Sequence, residues 1–125
     1  LSQHRGGLSF NIGVMIFQAG IIKTIKNKEN AKDGIYIITG CSHAGICNIA
    51  EYAKQVTGCN VIKSIIGGLH LFSGRSQQTL ATAEYLKQNI EGVIYPCHCT
   101  NLAAKFALHK ELTVKEVGVG LTLEW

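Results

Sequence analysis

One arrangement recurs three times along this chain and leaves few folds open to it. A short apolar, β-branched run ends at glycine or proline, a loop bearing one histidine follows, and helical periodicity takes over. The first unit is Ile35-Tyr36-Ile37-Ile38-Thr39, then a loop, then 45–57, where Ile46, Ile49, Ala50, Ala53 and Val56 share one stripe and Gly58 is the stop signal. The second runs from Val61 to Ile66, breaks at Gly67-Gly68, and continues as a helix over 76–90 through Leu80, Ala83, Leu86 and Ile90. The third is shorter: Val93-Ile94-Tyr95, a stop at Pro96, and a helix capped by Thr100 and carrying Leu102, Ala103 and Phe106. Apolar runs without polar alternation are expected of strands covered on both faces. Three strand–loop–helix units in succession therefore predict an α/β fold with a parallel or mixed sheet and right-handed crossovers.

The flanks add strands. Leu8 to Ile25 predicts one or two more, broken at Gly13 and Gly20, before a Lys/Asn-rich loop that closes at Asp33-Gly34. Val114 to Leu123 alternates well enough to predict a last strand. With 125 residues, 46% of them hydrophobic, the chain has material for one domain with a real core but hardly for two. No run of roughly 18 apolar residues occurs and Leu1 to Gly7 has the form of neither signal peptide nor anchor, so neither membrane nor secretion is expected. The net charge of +4 owes much to Lys23, Lys26, Lys28 and Lys32 in one polar stretch, which reads as a solvated loop and not as a nucleic-acid footprint. The five cysteines, odd in number, argue against a disulfide framework and for a reducing, cytoplasmic setting.

The histidines carry the chemical signal. His43 lies four residues past Thr39, His70 four past Ile66 and His98 three past Tyr95. Each stands just beyond the carboxyl end of a strand, where open α/β sheets bind their ligands. Three convergent imidazoles predict a divalent metal, zinc first, with three protein ligands and one open position. Imidazole also accepts manganese or iron. His109, on the last helix, and His4, in an unstructured start, read as structural or solvent-facing. Asp33 is the chain's only aspartate, which excludes mechanisms needing several.

In Cys97-His98-Cys99 an extended course past Pro96 would point residues 97 and 99 away from 98, so one ion could not easily take all three. Cys41 and Cys97 are thus expected to pack against or orient the neighbouring imidazoles, and Cys47 and Cys59 to be buried small hydrophobes. Ser42 and Thr100 could cap the following helices and offer helix N–H groups to an anion such as a phosphate; ordinary turn and cap chemistry is the equal alternative. No phosphate loop with lysine is present, so an NTPase is not expected.

The segment Ile37-Ile38-Thr39-Gly40-Cys41-Ser42-His43-Ala44-Gly45-Ile46, then Ile66-Gly67-Gly68-Leu69-His70-Leu71, then Tyr95-Pro96-Cys97-His98-Cys99-Thr100 resembles the carboxyl-terminal half of a metallo-β-lactamase-fold family. These are the metal-dependent hydrolases related to 7,8-dihydropterin-6-methyl-4-(β-D-ribofuranosyl)aminobenzene 5′-phosphate synthase. Gln18 to Thr24 resembles the strand preceding the first motif. The resemblance implies half of an αββα sandwich, a mixed sheet with helices on one face, occupying residues 1–125 as a single partial domain. It implies His43 and His98 as ligands of two different metals, with His70 near the place of a bridging aspartate. The reaction it implies is attack of a metal-bound hydroxide on an ester or phosphoester of a phosphorylated or pterin-related small molecule.

The family's His-x-His-x-Asp-His motif, which belongs to the amino-terminal half, does not occur in this chain. No catalytic residue is therefore assigned within it. The expected partners are the small-molecule substrate and either an amino-terminal half-domain or further copies of the chain, the latter being the setting of a non-catalytic module that oligomerises.

Overall fold

Ile35 and Ile37 are completely buried while Tyr36 and Ile38, which alternate with them, are not, so the first β-branched run is covered on one face only. It forms β4 (Gly34–Thr39), the centre of a six-stranded sheet. The computed structural model describes the backbone of residues 2–5, 8–13 and 20–27 and the whole of 34–123. In chain order the strands are β1 (Ser2–Arg5), β2 (Leu8–Gly13), β3 (Gly20–Asn27), β4, β5 (Ile62–Gly67) and β6 (Ile94–Pro96), and they lie side by side in that order. From β1 to β4 neighbours run antiparallel; β4, β5 and β6 are parallel.

The sheet is thus mixed, as expected, and the region Leu8 to Ile25 holds two strands. His4 belongs to β1, opposite Ser9, and not to an unstructured start. The lysine-rich loop up to Asp33 lies outside the described residues.

Each parallel crossover contains a helix: α1 (Ile46–Thr57) between β4 and β5, α2 (Gln77–Asn89) between β5 and β6, and α3 (Leu102–His109) follows β6. All three pack on the sheet face to which Ile35, Ile37, Ile62, Ile65 and Ile94 point, and there they form one core with Ile49, Ala53, Leu86 and Leu108. Complete burial of each of these Ile and Leu side chains contributes roughly 1.5–3 kcal/mol. The opposite face of β4–β6 carries Tyr36, Ile38, Ser64, Ile66 and Tyr95. Ile38 there is 38% exposed, so an apolar surface remains open on the side away from the helices.

The helix positions agree with expectation better than their faces do. In α1 the stripe Ile46, Ile49, Ala50, Ala53 is buried and Gly58 ends the helix at φ 68, but Val56 is exposed. In α2 Leu80 is exposed as well, and Thr79 and Thr82 are buried in company with Ala83 and Leu86. The side chain of Ser76 caps it by accepting from the Thr79 N–H.

For α3 the expected face is wrong: Leu102 and Phe106 are 64% and 60% exposed, and Ala104 and Leu108 face inward. Its cap is Asn101, not Thr100; the Asn101 side chain accepts from the Ala104 N–H at 2.9 Å, and its amide group donates to the Phe72 carbonyl. An eight-residue helix pinned at its first turn takes its orientation from that anchor and not from its most hydrophobic stripe.

The expected last strand also fails to form. Val114 makes one parallel bridge to Ile94, and residues 115–123 then leave the sheet. The edge it meets is the three-residue β6, which ends in a proline without an N–H to offer.

Candidate metal site

Because β4, β5 and β6 are parallel neighbours, the loops that follow them emerge at one edge of the sheet. Backbone hydrogen bonds lace these loops together. The Gly68 N–H donates to the Gly40 carbonyl (2.7 Å), Cys97 N–H to Gly67 (2.8 Å), Leu71 N–H to Cys99 (2.9 Å) and Asn101 N–H to Leu71 (3.0 Å). The second loop is the middle thread in every one of them.

Side-chain hydroxyls complete the lacing. Ser42, 1% exposed, donates its single proton to the Gly68 carbonyl at 2.7 Å, which leaves Thr39 to donate to Ser42 across 2.9 Å. Thr100, also buried, accepts the Leu69 N–H at 2.9 Å. Neither hydroxyl caps a helix, since the caps are Gly45 and Asn101. Both are engaged in loop-to-loop bonds and are not presented to an anion. Ser42→Ala should therefore cost about 1–3 kcal/mol of stability through the unpaired Gly68 carbonyl, read as a lowered midpoint in urea.

The lacing holds strained backbone. Ser42, His70 and Cys99 all have positive φ, at 55°, 54° and 50°, one in each loop. For a residue with a Cβ this conformation costs roughly 1–2 kcal/mol, and such strain gathers at functional sites. Gly68 lies where the three loops converge: a Cβ on it would stand 2.5 Å from Cys99 Sγ, 2.6 Å from the His98 carbonyl oxygen and 2.8 Å from that of Gly40.

Among the described residues of these three loops, the titratable side chains form two groups. The rings of His43 and His70 lie 4.6 Å apart, and Phe72 meets the His70 ring edge-on at 4.9 Å. His70 Nδ1 is buried and has no hydrogen-bond partner among the described residues. The second group is Cys41, His98 and Cys99. His98 Nε2 lies 3.0 Å from Cys41 Sγ, Cys99 Sγ lies 3.5 Å from the Cys41 carbonyl oxygen, and the three donor atoms fall within 4.8 Å of one another. Burial pushes the Cys99 thiol above its ordinary pKa, and the backbone N–H of His70, bonded to that sulfur, pulls it back. Cys99 thus touches both groups.

The expected extended course ends at Cys97, and His98 and Cys99 form a turn. Cys97 bonds its own strand, at the Tyr95 carbonyl (3.4 Å), and stands outside the group. Cys99 turns back through its left-handed backbone and joins His98, contrary to the expectation that both flanking cysteines point away from it. Cys41 is in polar contact with the imidazole it was expected to orient. Cys47 and Cys59 are partly buried against the core, as small hydrophobes would be, and His109 is exposed on α3.

No protein-family model matches the chain. It is 32% identical over 72 residues to the 7,8-dihydropterin-6-methyl-4-(β-D-ribofuranosyl)aminobenzene 5′-phosphate synthase of Methanocaldococcus jannaschii, a match covering 58% of this chain and 24% of that protein. An uncharacterised protein of the same organism is 38% identical over 83 residues, 62% of this chain and 31% of its own length. Among solved structures, a metal-dependent hydrolase of the β-lactamase superfamily superposes with a TM-score of 0.66 at 29% identity, over 84% of this chain and 40% of that one. The chain therefore spans a quarter to two-fifths of the relatives it matches. The likeness to part of a metallo-β-lactamase-fold hydrolase is shown in both sequence and architecture.

Proposed function

We propose that the chain supplies part of the metal site of a metallo-β-lactamase-fold hydrolase acting on a phosphorylated, pterin-related small molecule in the cytoplasm. The observation that carries this reading is the arrival of His43, His70 and His98 on three laced loops at one sheet edge, with a buried, unpartnered Nδ1 on His70. An orphaned buried polar atom costs about 1–3 kcal/mol, a penalty that coordination to a cation removes. Imidazole and thiol donors fit a divalent ion of the zinc type. When bound, such an ion supplies Lewis acidity and lowers the pKa of a water. The chain's own part is to hold His70 against Phe72 in a strained, fixed orientation and to present His43 and His98, both exposed, at the mouth.

A further portion of the fold, bearing the His-x-His-x-Asp-His ligands, completes the site in this reading. The exposure of Ile38 on the face away from the helices supports a covering partner, as does the fraction of each relative's length that the chain spans. The same face favours a second reading, in which the chain is a non-catalytic module that pairs with its own copies. A dilute monomer on size-exclusion chromatography discards that second reading.

The test of the first is turnover of p-nitrophenyl phosphate and bis(p-nitrophenyl) phosphate with zinc or manganese. The chain is assayed alone and after co-folding with the amino-terminal portion of the Methanocaldococcus synthase. Activity that requires both parts, disappears with EDTA and is lost in His98→Ala is the expected result. A metal-loaded assembly without turnover of either ester overturns it.

A further inference from the structure

We propose that Cys41, His98 and Cys99 together bind one metal ion, as a thiolate-bearing pole that selects a soft or borderline divalent cation such as zinc, cobalt or cadmium over magnesium and manganese. The proposal deepens the metal site of the function proposed above but does not depend on hydrolysis.

Its first support is the donor geometry. Tetrahedral zinc with Zn–S near 2.3 Å and Zn–N near 2.0–2.1 Å sets its ligand atoms about 3.5–3.8 Å apart. Cys41 Sγ and His98 Nε2 are 3.0 Å apart, somewhat closer than that, and all three donor atoms lie within 4.8 Å of one another, so the set brackets the separation an ion requires. Small side-chain rotations close the remainder.

The second support is what the backbone does to bring two thiols together from positions 58 residues apart. Cys99 turns through φ 50° to leave the extended line on which its sulfur would point away. Gly68 leaves that sulfur the space in which any side chain would stand 2.5 Å from it. Cysteines that served only as small hydrophobes would need neither. Cys47 and Cys59, which do pack against the core, sit on or beside α1 without positive φ.

The donor chemistry then decides the ion. Two sulfurs and one imidazole suit borderline and soft cations and discriminate against hard ones, which prefer carboxylate, carbonyl and water. Three protein ligands leave one position open, the arrangement of a reactive rather than a structural zinc. Among the described residues no acidic side chain contributes to the group.

Cobalt(II) is the probe, titrated into the 125-residue chain in an oxygen-free, phosphine-reduced buffer. The expected result is a near-ultraviolet sulfur-to-cobalt charge-transfer band, cut to about half in Cys41→Ser and in Cys99→Ser and absent from the double variant. Cys97→Ser retains the full band, and zinc, but not magnesium or manganese, bleaches it. Circular dichroism confirms that each variant is folded. Cobalt bound with ligand-field bands alone overturns the proposal and leaves the hydrolase reading to its own turnover test. A charge-transfer band that survives in the folded double variant also overturns it, as does a folded wild-type chain that takes up no cobalt.

Discussion

Gly67→Ala should leave almost no folded protein. Gly67 ends β5 at φ 141°, a conformation that side chains rarely adopt, and a Cβ there would lie 2.1 Å from the Thr39 carbonyl oxygen and 2.8 Å from its carbon. Those atoms are backbone of the neighbouring strand and cannot rotate away. β4 and β5 would have to separate where the first two loops leave the sheet, and the Cys97 N–H bond to the Gly67 carbonyl would go with them. Steric and conformational penalties together should exceed about 4 kcal/mol, a large share of the 5–15 kcal/mol that holds a domain together. The measurement is soluble yield and urea denaturation beside Gly58→Ala as control. Gly58 also has positive φ, 68°, but a Cβ on it would have no neighbour within 4 Å. The control should therefore lose only roughly 1–2 kcal/mol. Equal losses in the two variants would mean that φ strain alone matters and that the close approach of Thr39 does not.

That contrast also marks where the sequence is informative. β4 and β5 are legible because Ile35, Ile37, Ile62 and Ile65 are β-branched and buried, and their propensity and their environment agree. The recurrence of His43, His70 and His98 is legible because parallel strands deliver equivalent positions to the same edge. What escapes is decided by contacts distant in sequence. The face of α3 follows from the hold of Asn101 on Phe72 and overrides the stripe of Leu102 and Phe106. The loss of the last strand follows from the shortness of β6. Thr100 has the form of a helix cap but bonds Leu69, because the second loop lies between the first and the third. Cys99 joins His98 only through a left-handed turn, and no composition signal marks a non-glycine residue for that conformation. The pattern Cys-His-Cys showed which donors are near one another in the chain, and the fold determines which of them meet.

His98→Ala should be the most damaging single change to metal binding, with a loss in zinc affinity of at least about 100-fold. Removing a group that merely orients a ligand costs about 10–100-fold, so removing a ligand should cost no less than the upper end of that range. The asymmetry with His43 is the informative part. His98 Nε2 is 3.0 Å from Cys41 Sγ and shares the space of both thiols, so without it two sulfurs alone remain in that group. His43 is exposed and meets His70 at 4.6 Å between rings, in the other group. His43→Ala should then spare the ion held at Cys41, His98 and Cys99 and lower affinity by only about 10-fold, the low end of the effect of a neighbouring group. Calorimetric zinc titrations of the two variants and the parent chain provide the comparison. Equal, complete loss in both would place a single ion among the three imidazoles, with the thiols as bystanders. Greater loss in His43→Ala would move the anchoring pole to the His43–His70 pair, where the unpartnered Nδ1 of His70 lies. The predicted order, His98 well ahead of His43, is the one in which the strained turn at Cys99 and the space left by Gly68 serve to hold a cation.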